Sequence, residues 1–210
     1  MTCTRPDVAY ALSLVSRYQA DPGDKHWKVT KTILKYLKNT KNKCLIYGDR
    51  EMKLEGFTNS IFQSDCDDIK SVSGYIFTLY GGAVSWKSSK HQMVANFVTE
   101  AEYIAAKEAV WMRKFLTELG EVPDANGPVT LHCDNTGAIA QAKEPRSHHR
   151  SKHVLRRFHL IREIMNRGDI ILNKIDGKKN LADPMTKALG TREFSTYVDQ
   201  MGIKYRSDWL

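Results

Sequence analysis

A strand hairpin followed by a long amphipathic segment limits the choice of fold more than any other pattern in this chain. Residues 73–80 are rich in β-branched and aromatic side chains, Gly81-Gly82 predicts the turn, and residues 83–87 predict the return strand. Apolar side chains then recur at helical spacing over residues 100–119, and Gly120 ends the helix. A helix of this kind needs a sheet against which it can bury its apolar stripe.

Further strands and helices are predicted on both sides of this unit. The strands lie near residues 44–47, 54–59, 129–134 and 170–175, and the helices near 137–141, 151–166 and 180–189. Hairpin strands followed by strands that helices separate predict an α/β fold with a five-stranded mixed sheet and helices on both faces. We expect the strands near 54–59, 72–80 and 83–88 to be successive antiparallel neighbours. The strands near 129–134 and 170–175 should run parallel to the first of them.

Two helices are predicted before the sheet, the second beginning with Asp24 as its N-cap. We expect Trp27, Leu34 and Leu37 to share its apolar face. Another face carries a stripe of lysines, Lys28, Lys31, Lys35 and Lys38. The predicted organisation is a helical tether over 1–44, one domain over 45–190 and a tail over 191–210.

Three acidic residues stand at the ends of predicted strands or helices. Glu102 begins the long helix, Asp134 ends a strand, and Asp183 begins the last helix. Each alone is explained as a helix cap or as an acid near the positive end of a helix dipole. Together they suit Mg²⁺, and two such ions about 3.5–4 Å apart can activate water for phosphodiester hydrolysis. Glu100 remains an alternative to Glu102.

Family resemblance covers almost the whole chain. The ribonuclease H module of copia-type LTR retrotransposon Pol polyproteins is similar, in order and spacing, to SVSGYIFTLYGGAVSWKSSKHQ, TEAEYIAAKEAVWMRKFLTELG, LHCDNTGAIAQAKEP, SKHVLRRFHLIREI and LADPMTKAL. The stretch RPDVAYALSLVSRYQADPGDKHWKVTKTILKYLKNT resembles the segment that links reverse transcriptase to that module. The catalytic aspartates of reverse transcriptase are absent from this sequence.

The resemblance implies a ribonuclease H-like fold and Mg²⁺-dependent cleavage of the RNA strand of RNA–DNA hybrids. It also implies a two-ion site of four carboxylates, and an upstream reverse transcriptase module as a partner. Glu102, Asp134 and Asp183 match three of the four metal-binding, catalytic positions.

The fourth position departs from the family pattern, because Asn59 stands where the resemblance implies a metal-bridging aspartate. An Asn amide offers one neutral oxygen, whereas Asp offers two oxygens and a full negative charge. We therefore expect poor occupancy by Mg²⁺ and impaired cleavage. The alternative is a non-catalytic nucleic-acid-binding or interaction remnant of a decayed element.

Basic residues indicate which part of the chain binds the substrate. A net charge of +8 and a pI near 9.3 favour an acidic partner, of which nucleic acid is the commonest. Contacts to the phosphate backbone and to the shape of the hybrid would supply binding, although a solvated helix face is the alternative explanation. The residues expected to bind nucleic acid are Lys143, Arg146, Arg150, Lys152, His153, Arg156, Arg157, Lys28, Lys31 and Lys35.

Targeting signals are missing from the sequence. No apolar run approaches the length of a membrane span, and the first residues do not resemble a signal peptide. The four cysteines lie far apart, with no CxxC pair. We therefore expect an intracellular protein of the cytoplasm or nucleus, without a membrane partner.

Overall fold

The computed structural model describes residues 3–48, 50–61, 71–90, 97–120, 122, 126–143 and 152–209, without the side chains of 97–100, 138, 141–143, 152–158 and 208–209. The strands are β1 Lys43–Leu45, β2 Glu55–Ile61, β3 Val72–Leu79, β4 Gly82–Lys90, β5 Val129–Cys133, β6 Ile170–Lys174 and β7 Ile203–Tyr205. The α-helices are α1 Ala9–Val15, α2 Asp24–Asn39, α3 Phe97–Leu119, α4 Thr136–Lys143, α5 Lys152–Asn166 and α6 Thr191–Gln200. None of the helices in these ranges has the length and apolarity that crossing a membrane requires.

The central sheet has the strand order β4-β3-β2-β5-β6. β2 pairs antiparallel with β3 and parallel with β5, while β4 and β6 extend the two ends. The five predicted strands and their directions are thus confirmed. With helices packed on it, the sheet has the predicted mixed α/β architecture.

The hairpin turn lies one residue earlier than predicted. Tyr80 and Gly81 occupy it with φ values of 55° and 84°, and Gly82 already belongs to β4. Two consecutive positive φ angles are typical of the two-residue turns that match the strand twist. Gly82 is needed for a different reason, because an added Cβ would lie 2.5 Å from the ring of Tyr47.

One face of the sheet is covered by α3 and α5. Three alanines of α3, Ala101, Ala105 and Ala109, are almost inaccessible, which lets the helix approach the strands closely. The predicted apolar stripe continues through Met112 and Leu116, but its last member, Leu119, is 52% exposed because the helix ends there.

The other face is covered by the segments that follow β6. The helix predicted near 180–189 is wrong: two 3-10 turns, Gly177–Lys179 and Asp183–Met185, take its place. Pro184 lacks the N–H that an α-helix would use beyond its first turn. Met185 packs so closely against β3 that a Cβ added at Gly74 would lie 2.3 Å from the Cβ of Met185.

The segment expected to be a tail contains α6 and β7. β7 pairs antiparallel with β1, which joins the end of the chain to the segment before the sheet. Met201 and Ile203 are inaccessible in the core of this face. No observation tests the domain boundaries, which stay a prediction.

The two N-terminal helices are confirmed, but the predicted apolar face of α2 is wrong. Trp27 and Leu34 are 54% and 53% exposed, whereas Ile33 is buried. Tertiary contacts orient the helix instead, since the hydroxyl of Tyr36 donates to Asp7 Oδ2 at 2.6 Å. The helix begins at Asp24, so Gly23 takes the N-cap position expected for Asp24.

Candidate active site

Four elements bring the predicted site residues to one edge of the sheet. Asn59 lies in β2, Asp134 directly follows β5, and Thr58 pairs with Cys133 between these parallel strands. The next positions, Asn59 and Asp134, therefore lie side by side. Glu102 comes from α3, which packs on β2, and Asp183 begins the second 3-10 turn.

Asn59 and Asp183 form a direct hydrogen bond. The amide Nδ2 donates to Asp183 Oδ1 at 2.6 Å and to Thr186 Oγ1 at 3.0 Å. Both side chains are buried, since Asn59 and Asp183 are 5% and 2% exposed. With the amide reversed, its oxygen would face a carboxylate oxygen, so the N–H must point toward Asp183.

A lysine binds the other oxygen of Asp183. Lys187 Nζ lies 2.7 Å from Oδ2, and the hydroxyl of Thr186 donates to the backbone oxygen of Asp183 at 3.0 Å. Both carboxylate oxygens of Asp183 therefore have donors from the chain itself. We call Asn59, Asp183, Thr186 and Lys187 the closed half of the site.

Glu102 lies in a different environment. It is 4% exposed, Oε1 accepts from the thiol of Cys133 at 3.4 Å, and Oε2 is buried with no hydrogen-bond partner among the described residues. Burial, with a smaller contribution from the charge of Asp134, raises the pKa of Glu102 to about 8. Burial also raises the pKa of Cys133, which keeps its thiol as a donor.

Asp134 interacts electrostatically with both Glu102 and Asp183. Burial and then the charge of Asp183 raise the pKa of Asp134, while Lys187 and Asn180 oppose these effects. Its Oδ2 would lie 3.4 Å from a Cβ added at Gly177, so the turn after β6 packs against it. We call Glu102 and Asp134 the open half of the site.

This arrangement does not fit a two-ion centre. Within the ranges that the structure describes, no three His, Cys, Asp or Glu side chains are grouped so that they could hold a metal ion. The donors of Asn59 and Lys187 point at the oxygens of Asp183 that a cation would need. The donor set is also one negative charge short of four carboxylates.

The remaining predicted residues are placed only in part. Lys28, Lys31 and Lys35 are exposed on α2. Only the backbone is described for Lys143, Lys152, His153, Arg156 and Arg157, which lie in α4 and α5, and for Glu100 in α3. Arg146 and Arg150 lie outside the described residues.

The sequence interpretation missed three residues that shape the site. Thr186 and Lys187 lie three and four positions after Asp183 within the LADPMTKAL string, a spacing that could have indicated them. Asn180 is inaccessible; its amide donates to the backbone oxygen of Thr58 at 3.0 Å, and its oxygen accepts from Ala182 N at 3.1 Å. These bonds tie the turns to β2, and no local pattern predicts them.

Known proteins resemble this chain over nearly its full length. The retrovirus-related Pol polyprotein from transposon TNT 1-94 of Nicotiana tabacum is 40% identical over 207 residues, 97% of this chain. That from transposon RE2 of Arabidopsis thaliana is 32% identical over 205 residues, 95% of this chain. The chain spans only 15% and 14% of these two polyproteins. No family model matches.

Solved structures resemble the chain more distantly. The crystal structure of LC11-RNase H1 in complex with RNA/DNA hybrid is 17% identical, covers 64% of this chain and 94% of its own, and gives a TM-score of 0.44.

Proposed function

We propose a function from the premise that the chain belongs to the copia-type, retrovirus-related Pol polyproteins and forms a ribonuclease H domain. Enzymes with this fold depend on metal ions. We propose that the chain binds RNA–DNA hybrids but cleaves their RNA strand little or not at all with Mg²⁺. In the proposed setting it acts inside the cell, beside the reverse transcriptase module of a longer polyprotein.

The hydrogen bond from Asn59 to Asp183 carries this proposal. An aspartate at position 59 would add a negative charge at the centre of the site, whereas the amide presents an N–H 2.6 Å from Asp183 Oδ1. Two cations close together repel each other and need carboxylates to offset that repulsion. The proposed Mg²⁺ ligands Glu102, Asp134 and Asp183 supply at most three negative charges, and Lys187 neutralises part of one.

Binding does not depend on these metal ligands. The net charge of +8 and the exposed lysines of α2 support phosphate contacts, which supply most of the affinity of sequence-independent nucleic-acid binding. The basic residues predicted in and near α4 and α5 belong to the same proposal. We therefore expect hybrid affinity to fall steeply with salt, even where cleavage is absent.

Cleavage of a labelled hybrid tests the proposal. The chain, its Asn59→Asp variant and the control Asn59→Asp/Glu102→Gln are compared in Mg²⁺. We expect Asn59→Asp to cleave at least about 100-fold faster than the chain itself, because transition-state charge stabilisation by metal is worth several kcal/mol. The control should lose this gain.

Two outcomes lead to other conclusions. Robust Mg²⁺-dependent cleavage by the unmodified chain that Glu102→Gln abolishes would show that three carboxylates suffice. Tight hybrid binding with no cleavage by Asn59→Asp would favour the second candidate, a binding module without catalysis. The closed half favours that candidate, because Asn59 and Lys187 already bind both oxygens of Asp183.

A further inference from the structure

A cavity of about 660 Å³ adjoins the candidate active site and nothing in the proposed catalysis uses it. Three of the residues that line it each precede a site residue by two positions. They are Phe57 before Asn59, His132 before Asp134, and Leu181 before Asp183. Alternate residues of a strand share a face and lie about 7 Å apart. Along β2, the lining residue Phe57 therefore lies one such step from Asn59.

Basic side chains surround this cavity. Lys178 and Lys179 line it from the turn after β6, and Arg50 and Lys53 line it from the segment before β2. Lys53 pairs with Glu55, 3.3 Å away, but the structure gives the other three cations no ion pair among the described residues. With Glu51 and Glu55 also in the lining, the cavity keeps a surplus of positive charge.

The turn that carries the two lysines is held on three sides. Asp176 accepts from Lys178 N at 2.9 Å, and the hydroxyl of Tyr197 in α6 donates to Lys178 O at 3.0 Å. Asn180 fixes the end of the turn to β2, and Gly177 packs against Asp134. The lysines are exposed, so their backbone is positioned while their ammonium groups stay available.

The floor of the cavity is aromatic. The rings of Phe57 and His132 are stacked with centroids 4.8 Å apart, and both lie on neighbouring parallel strands. His132 Nε2 lies 3.7 Å from Glu55 Oε1. The surplus of positive charge in a concave cavity strengthens the attraction of an anion.

We propose that Lys178, Lys179 and Arg50 make this cavity a phosphate-binding groove. This inference rests on the proposed function. The groove holds a backbone phosphate of a nucleic-acid strand, and the neighbouring segment of that strand lies at Glu102, Asp134 and Asp183. Ammonium and guanidinium groups on a fixed scaffold are the usual partners of phosphate. The phosphate of a free mononucleotide has the same chemistry, and the experiment separates the two sources.

Salt-dependent binding tests the groove. The variant Lys178→Gln/Lys179→Gln is compared with Lys41→Gln/Lys114→Gln, which loses the same charge at exposed lysines outside the groove. Fluorescence anisotropy with a labelled hybrid is measured from 50 to 300 mM KCl. We expect the groove variant to lose at least about 10-fold in affinity at 50 mM, and its logarithmic salt slope to fall by roughly one, since each phosphate contact contributes about 0.9.

Two further measurements make the result decisive. Lys178→Arg/Lys179→Arg keeps the positive charges but changes the side chains. It should therefore keep both the affinity and the salt slope, whereas loss of a packing role of the lysines would lower the affinity of this variant as well. Uridine monophosphate is titrated in parallel by calorimetry. Binding of this nucleotide that needs Lys178 and Lys179, with an unchanged hybrid slope, would assign the groove to a free nucleotide.

The inference is overturned if the groove variant and the charge control have equal hybrid slopes and uridine monophosphate does not bind. Failure of the proposed function would differ, because the unmodified chain would then bind no hybrid at any salt concentration. In that case the nucleotide titration alone decides whether the groove binds phosphate.

Discussion

The closed and open halves of the candidate site each contain a buried carboxyl group, but they differ in the donors that bind its oxygens. In the closed half, the buried carboxylate of Asp183 has a donor at each oxygen, from Asn59 and from Lys187. In the open half, the buried carboxyl group of Glu102 has one weak thiol donor, and its other oxygen has no hydrogen-bond partner in the part of the chain that the structure describes. Burial without sufficient donors disfavours the charged form of a carboxyl group, and it raises the pKa of Glu102 to about 8.

This difference shows how an amide in place of a carboxylate at position 59 changes the site. An amide at position 59 converts a cluster of mutually repelling acids into a neutralised network around Asp183. No described residue of that network donates to Glu102, so the amide does nothing to offset the burial of this acid.

The largest expected effect concerns Glu102. The folded chain keeps its proton up to a pKa of about 8, whereas the unfolded chain releases it near 4.5, so folding takes up a proton between these values. The free energy of unfolding should therefore fall as pH rises through this window, by on the order of 4 kcal/mol at most. Urea unfolding of the chain and of Glu102→Gln at pH 5 and pH 8 measures it.

Glu102→Gln should lose most of this pH dependence and be the more stable protein at pH 8. The control Glu118→Gln changes an exposed glutamate of the same helix and should behave like the unmodified chain. Parallel pH profiles for Glu102→Gln and the unmodified chain would show that Glu102 is already ionised.

A smaller effect is expected in the closed half. Asn59→Asp replaces an N–H donor by a second carboxylate 2.6 Å from Asp183 Oδ1. Without metal we expect a loss of about 2 kcal/mol in the free energy of unfolding at pH 7, or a melting temperature lower by roughly 6 °C. Mg²⁺ should recover part of it.

Thermal unfolding in EDTA and then in Mg²⁺ measures both effects. Asn173→Asp makes the same chemical change at an exposed position of β6, and should leave the melting temperature nearly unchanged. An Asn59→Asp variant that is equally stable in EDTA would mean that the hydrogen bond to Asp183 contributes little.

The smallest effect concerns Lys187. Its side chain is 42% exposed, so solvent screens its ion pair with Asp183. We expect Lys187→Met to cost about 0.5–1 kcal/mol at low salt, and the difference to shrink in 0.5 M KCl. Lys174→Met, at an exposed lysine of β6, is the control. A cost that is independent of salt would point to packing rather than charge.

Much of the fold was predictable from local patterns. The strands of the central sheet, the hairpin and α3 follow from alternation, a glycine turn and helical spacing, all of which lie within short stretches of chain. The segment after β6 was not predictable in the same way. Its 3-10 turns depend on Asn180 bonding to β2, 122 residues away, and on Met185 filling the space above Gly74.

The exposed face of α2 shows the same limit. Spacing alone favoured Trp27 and Leu34 as its buried residues, yet the helix packs through Ile33 and Tyr36. An amphipathic pattern specifies a helix, but the surface that covers it decides its rotation.

The sequence by itself predicted the family and the five strands of the central sheet with their directions, because ordered strings of residue types and local alternation encode them. It also determined that position 59 lacks a charge. Only the tertiary structure decided what that loss means. Hydrogen bonding and burial depend on groups brought together over more than 120 residues. Asn59 and Lys187 bind the two oxygens of Asp183, while Glu102 is buried with one oxygen that has no hydrogen-bond partner among the described residues.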